Sequence, residues 1–163
     1  MRRTVVLLAA TILTLLLASG VALAVAKIGT DRPDFLMGTK GSDVLSGRGC
    51  TDWIEGRAGN DVIRGGPGND HDLFFSQAIG MLDGGSGADV ISGGRGRDLL
   101  FDGPWPGDSA VDILEGGDGN DFLSAENRPA ARDMVSCGGG RDRAWVDRKD
   151  IVSDDCERIR RID

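Results

Sequence analysis

The chain contains no tyrosine, and only five phenylalanines and three tryptophans among 163 residues. A conventional close-packed globule of this length would carry more large side chains, so a different kind of core is expected. There is one histidine, His71, so no histidine cluster exists to hold zinc. Neither G-x-S-x-G nor H-E-x-x-H occurs. Positive charge is also short: 19 Lys and Arg face 26 Asp and Glu, a net charge of −7. That argues against nucleic acid and anionic membrane surfaces as partners, because both need a basic face.

Long apolar runs are missing except at the start. Met1-Arg2-Arg3 is a short basic segment, and Thr4 to Ala26 is almost wholly apolar. Small residues at Ala24 and Ala26 form an A-x-A site, so residues 1–26 read as a signal peptide cleaved before Lys27. The run is also long enough to span a bilayer, which leaves an uncleaved anchor as the alternative. Both place the rest of the chain outside the cytoplasm, and cleavage would leave no stable membrane association. Cleavage takes Arg2 and Arg3 with it and moves the net charge from −7 to −9.

What the chain has in excess is glycine, 26 of 163 residues, well above the usual share of about 7%. The glycines fall on a nine-residue period that begins at Gly38. Turns starting at Gly38, Gly47, Gly56 and Gly65 end in Asp43, Asp52, Asp61 and Asp70. The pattern returns from Gly84, Gly93 and Gly116 to Asp89, Asp98 and Asp121. A further glycine precedes most of these aspartates by two positions: Gly41, Gly59, Gly68, Gly87, Gly96 and Gly119. Cys50 holds that place before Asp52. Two positions after each of these aspartates except Asp70 stands an aliphatic residue. The inward row reads Leu45, Ile54, Ile63, Leu82, Ile91, Leu100, Leu114, Leu123, Val135 and Val152. Val44, Val62 and Val90 then point the opposite way, as alternation along a strand demands.

Seven units in one register, four of them consecutive, carry the G-G-x-G-x-D-x-U-x signature of parallel β-rolls that bind Ca²⁺. The chain resembles the RTX (hemolysin-type) calcium-binding repeat family, in a secreted bacterial form. The resemblance covers about residues 38–153. It implies an all-β fold, a right-handed parallel β-roll or β-solenoid with short inserted loops. It also implies that each unit is a turn plus a short strand, and that two units make a coil of 18 residues. Residues 27–37 are then a lead-in, 38–153 the calcium-binding β-roll and 154–163 a charged C-terminal cap. Arg158, Arg160 and Arg161 could alternatively contact a partner.

Several Ca²⁺ ions are implied as cofactors, each between turns of successive coils. The metal residues carried over are the aspartates Asp43, Asp52, Asp61, Asp70, Asp89, Asp98, Asp121 and Asp142, and the glycines Gly41, Gly59, Gly68, Gly87, Gly96 and Gly119. The expected aspartate pairs are 43 with 61, 52 with 70, 70 with 89, 98 with 121, and 121 with 142. The chemistry fits: Ca²⁺ takes six to eight oxygens, and glycine lets a tight turn aim carbonyls inward. Aspartates stacked at strand spacing, about 4.8 Å, repel one another without a cation between them. Aspartate also forms turns on its own, which is the metal-free reading.

His71–Asp83 departs from the consensus and reads as a degenerate coil. It leaves Asp89 nineteen residues after Asp70 and on the same edge. Insertions around Asp102–Asp108 and Ala125–Arg132 read as surface loops. Asp112-Ile-Leu114-Glu115 and Asp133-Met-Val135-Ser136 keep only the D-x-U-x half of the unit.

The three cysteines and the N-terminal apolar run depart from the family's usual form. Cys137 and Cys156 are nineteen residues apart, about one coil, and outside the cell they would pair as a staple on the last coil; two free thiols are the alternative. Cys50 is left as a free thiol, an intermolecular link or a neutral substitution. No region outside the repeats is large enough for a catalytic domain, and the chain is expected not to be an enzyme. The resemblance implies the role of a secreted calcium-binding repeat protein whose folding is coupled to metal. The alternative is a calcium-stabilised surface or adhesive scaffold that engages a protein or glycan through Phe74, Phe75 and Trp105. If buried, Phe74 and Phe75 instead fill the degenerate coil.

Overall fold

The computed structural model describes residues 23–70, 81–103, 109–127 and 129–162. Every regular element among them is a strand. The unit dictates this, because glycine turns break any helix and D-x-U-x alternates between inside and outside with period two. The strands fall alternately into two seven-stranded sheets. The first sheet stacks β1 (Ala26–Ile28), β3 (Val44–Ser46), β5 (Val62–Pro67), β7 (Val90–Gly96), β9 (Ile113–Gly119), β11 (Met134–Gly140) and β13 (Ile151–Val152), in that order. The second stacks β2 (Phe35–Met37), β4 (Trp53–Glu55), β6 (Met81–Asp83), β8 (Leu99–Phe101), β10 (Phe122–Ala125), β12 (Arg143–Val146) and β14 (Arg158–Arg161). Each strand pairs in parallel with the strand two elements away. A chain that passes alternately between two parallel sheets is a β-solenoid, as the repeat predicts. The first two strands already belong to these sheets, so coiling begins within residues 26–37.

The register places like residues over one another. In the first sheet Leu45, Ile63, Ile91, Leu114, Val135 and Val152 are successive partners. In the second, Leu36, Ile54, Leu82, Leu100, Leu123 and Ala144 follow. Of the expected inward row, every residue is buried except Val152, which packs half-buried against the core near the C-terminal end of the stack. Val44, on the other face, is 46% exposed. The two rows meet in one core of single aliphatic side chains, which is how the roll dispenses with aromatic bulk.

One expectation is overturned here. Ile54 pairs with Leu82, so Met81–Asp83 is the strand of the Asp70 unit and not part of a separate degenerate coil. Residues 71–80 are therefore an addition of ten between Asp70 and its own strand, one unit plus one residue. The near-match to nine hid it in the sequence. Asp89 consequently belongs to the edge of Asp61 and not to that of Asp70. The physical reason is that the aliphatic row must stack continuously, whatever the spacing between turns. His71, Phe74, Phe75, Trp105 and residues 1–22 lie outside the described residues.

Cys137 and Cys156 form a disulfide with Cα atoms 5.1 Å apart. It ties the last turn to β11 beneath it. Replacing both by serine is expected to cost about 3 kcal/mol for a loop of this length, read as a lower melting temperature in saturating Ca²⁺. β14 closes the second sheet as an exposed strand of three arginines and one isoleucine. Charge on an edge strand discourages further pairing, as a terminal coil requires. Arg160 lies 4.9 Å from the Trp145 ring centre, and Arg161 donates to the Asp147 carbonyl at 3.1 Å.

Candidate metal centre

Each unit turns just before its aspartate, so the carboxylates line up along the two edges of the roll. One edge carries Asp34, Asp52, Asp70, Asp98, Asp121 and Asp142, with Glu157 at the end. The other carries Asp43, Asp61, Asp89, Asp112, Asp133 and Asp150. In each ladder the Oδ1 of one aspartate accepts the backbone N–H of the aspartate one coil earlier. The distances are 2.7 Å from Asp43 to Asp61, 2.8 Å from Asp52 to Asp70 and 2.9 Å from Asp70 to Asp98. They continue at 2.7 Å from Asp61 to Asp89, 2.9 Å from Asp98 to Asp121 and 2.8 Å from Asp121 to Asp142. Asp142 in turn donates its N–H to Glu157 at 2.8 Å.

The second oxygen is left over. The Oδ2 atoms of Asp52, Asp61, Asp70, Asp98, Asp121 and Asp142 are buried and accept no hydrogen bond. A buried carboxylate oxygen without a partner is costly. Burial accordingly pushes Asp70 and Asp121 up to about 7 and Asp98 up to about 6. Neighbouring carboxylates add to this at Asp70 and Asp121, while the backbone N–H bonds oppose it. Asp133 and Asp150 rise to about 7 and about 6, again chiefly through burial.

The first glycine of each turn keeps the space beside that oxygen open. A methyl group on Gly93 would lie 2.5 Å from the Gly116 carbonyl oxygen of the next coil and 2.6 Å from Asp98 Oδ2. On Gly84 it would meet the Asp102 carbonyl at 2.5 Å and Asp89 Oδ2 at 2.6 Å. An oxygen-lined hollow therefore repeats along each edge, with a carboxylate from one coil and a carbonyl from the next. These are the hard donors that Ca²⁺ takes, six to eight at a time. The residues present fit that ion.

The glycine before the aspartate has a different duty. Its Cα lies against the carbonyl of the previous coil: a Cβ on Gly96 would overlap the Gly68 oxygen, and one on Gly119 the Gly96 oxygen. Gly59, Gly87 and Gly96 also take φ of 113°, 125° and 130°. Three residues in turn positions hold positive φ without being glycine: Arg48, Cys50 and Arg57, at 79°, 86° and 82°. Left-handed backbone costs a side-chain-bearing residue about 1–2 kcal/mol, and glycine gives part of that back as unfolded-state freedom. Cys50→Gly is therefore expected to raise stability by roughly 0.5–1 kcal/mol, measured by thermal unfolding. Cys50 is exposed and is not in a disulfide.

All eight expected metal aspartates stand in the ladders, and four of the five expected pairs are adjacent. The pair of Asp70 with Asp89 is not: Asp70 neighbours Asp98, and Asp89 sits between Asp61 and Asp112. Asp34, Asp112, Asp133 and Asp150 belong to the ladders too and were not among the expected ligands. Their signal was present at Asp112 and Asp133, where the D-x-U-x half survives after the glycines have gone. Among the described residues, Cys137, Asp155 and Cys156 also lie close together, but the two sulfurs are bonded to each other.

A family model for the RTX calcium-binding nonapeptide repeat matches in four copies, at residues 28–61, 51–71, 81–103 and 106–127. Together these cover more than half of the chain. No curated protein and no solved structure matches it. Repeat, solenoid and stacked aspartates agree with that match, and the chain belongs to the RTX calcium-binding nonapeptide repeat family.

Proposed function

We propose that this is an exported, non-catalytic protein in which several Ca²⁺ ions bind between successive coils and drive the chain to fold outside the cell. The observation that carries the reading is the pair of buried aspartate ladders, each leaving unpartnered carboxylate oxygens beside the carbonyls of the next coil. Without a cation those charges oppose the stack. With one, Asp52, Asp61, Asp70, Asp98 and Asp121 and the turn carbonyls become its ligands, and metal affinity is spent on folding. The A-x-A site at Ala24 and Ala26 supports export, into surroundings where sites of about 10⁻⁴–10⁻³ M suffice. The test is far-UV circular dichroism during a Ca²⁺ titration, with Mg²⁺ as control. A coil-to-strand transition with Ca²⁺ alone is expected. At pH 8, a chain already folded in chelator and unchanged by Ca²⁺ would reduce the aspartates to turn-formers.

A second reading, a surface scaffold that engages a partner, draws support from aromatics other than those on the inserted loops. Phe101, Phe122 and Trp145 come from successive coils of the second sheet, with ring centres 6.1 Å and 5.0 Å apart. They line an outer groove of about 500 Å³ together with Arg97, Leu99 and Arg143. Trp145→Ser separates the readings. It leaves both the Ca²⁺ transition and surface attachment unchanged under the first, and abolishes attachment alone under the second.

A further inference from the structure

The outward face of the first sheet carries a feature that the metal centre does not explain. Its first outward position is apolar in coil after coil: Val44, Val62, Val90, Ile113, Met134 and Ile151 are successive register partners. Val44, Val90, Met134 and Ile151 are 36% to 48% exposed, and Val62 and Ile113 are half-buried. At strand spacing, about 4.8 Å, they form a continuous aliphatic ridge roughly 24 Å long. The fold itself does not require it, because the equivalent position of the second sheet holds Arg143 and Arg158 in its last two strands. A contiguous apolar surface of this kind marks a contact.

The charges beside the ridge indicate what covers it. Two positions further along the strands, the second outward row reads Ser46, Arg64, Ser92, Glu115 and Ser136. Arg64 and Glu115 are exposed, and the ion pairs found among the described residues involve neither. They flank Ser92 of β7, one coil before it and one coil after. β7 is the central strand of the seven. A half-turn about the direction of β7 reverses the coil order and lays ridge on ridge. It sets Arg64 of one copy opposite Glu115 of the other, twice, and Val90 opposite its own counterpart. The row is its own complement, which is what a two-fold contact requires. Further along the longer strands, Arg95 and Asp118 already face each other within one chain at 3.8 Å. The face is thus neutral in a chain of net charge −7, whose buried carboxylates line the edges.

We infer that the outward face of the first sheet is a self-association surface, on which a second copy of this chain docks with reversed coil order through the ridge from Val44 to Ile151 and two Arg64–Glu115 pairs. The two sheets then stack face to face, as aligned sheets do at about 10 Å. Two outward rows over roughly 24 Å offer less contact than the about 800 Å² per partner of a standard interface. The dimer is therefore reversible and forms at concentrations on the order of micromolar or above. The inference goes beyond calcium binding: it needs the folded roll, and no ion takes part in the contact.

Sedimentation velocity of the full chain across a concentration series tests it, with the strand signal first brought to its maximum by saturating Ca²⁺ or by pH 5 in chelator. A monomer–dimer equilibrium is expected. Arg64→Glu and Glu115→Arg each set like charges opposite one another twice, and each alone should weaken the dimer by about tenfold or more. Mixing the two variants should restore association, because each then meets its opposite, and so should carrying both substitutions in one chain. Val90→Lys should abolish it by bringing two ammonium groups together at the axis. All three positions are exposed, so the strand signal should not change. A monomer at every concentration would overturn the proposal. So would a dimer indifferent to these charges, which would place the contact elsewhere on the chain. Either result leaves the calcium reading to be decided by its own titration.

Discussion

In chelator, the chain is expected to be folded at pH 5 and largely unfolded at pH 8, and saturating Ca²⁺ is expected to erase that difference. The prediction follows from the sign of the carboxyl shifts. Asp70, Asp98, Asp121 and Asp133 are raised in the fold to about 7, 6, 7 and 7, from an ordinary value of 3.8. A group raised on folding contributes stability that is fully present below its unfolded value and is lost as pH climbs through its folded value. The window is therefore about pH 4 to 7, with stability falling as pH rises. One pH unit of displacement in one carboxyl corresponds to about 1.4 kcal/mol. Several acting together rival the whole stability of a domain, about 5–15 kcal/mol. Calcium replaces the protons, so its titration midpoint should fall as pH rises and each ion bound near pH 6 should release protons. Thermal unfolding across pH, with and without Ca²⁺, is the measurement. Equal stability at pH 5 and pH 8 in chelator would contradict it.

Gly94→Ala is expected to destabilise the calcium-loaded roll by roughly 3 kcal/mol or more, adding positive-φ strain to a steric clash. Gly94 has a φ of 115°, a region essentially closed to side-chain-bearing residues. Its Cα lies against the backbone of Gly66 one coil earlier, and an added methyl would overlap the Gly66 carbonyl. The neighbouring backbone cannot yield without opening the ladder that joins Gly66, Gly94 and Gly117. Gly139→Ala provides the internal control. A methyl there meets only Asp118 Oδ1, at 3.7 Å, so its effect should stay within about 0.5 kcal/mol. Urea unfolding at saturating Ca²⁺ reads both. Equal effects would mean that coil-to-coil contact at the glycines does not set the stability of the stack.

The contrast between Gly94 and Gly139 rests on the same property that makes the fold readable from the chain. A solenoid has contacts almost only between a coil and its neighbours, so a period in the chain becomes a period in space. Leu45, Ile63 and Ile91 recur at the same point of the unit and therefore stack. Asp43, Asp61 and their successors do likewise, and the cation chemistry follows from the residue types alone. Class of fold, inward row and the existence of two aspartate edges were determined by the sequence.

Which coil lies on which was decided only in three dimensions. Between Asp70 and Leu82 the chain adds one unit plus one residue, and counting alone misassigned the next aspartate. Hydrogen bonding and aliphatic stacking corrected it, because Leu82 must cover Ile54 before the turn can close. Asp112, Asp133 and Asp150 keep their ladder positions through Oδ1 contacts that do not depend on the lost glycines. The contact of Asp102 with Asn127, 25 residues apart, was invisible in the period because both are exceptions to it. Regular positions are set by local repetition, which sequence carries in full; exceptional ones meet through stacking, which only the folded chain supplies.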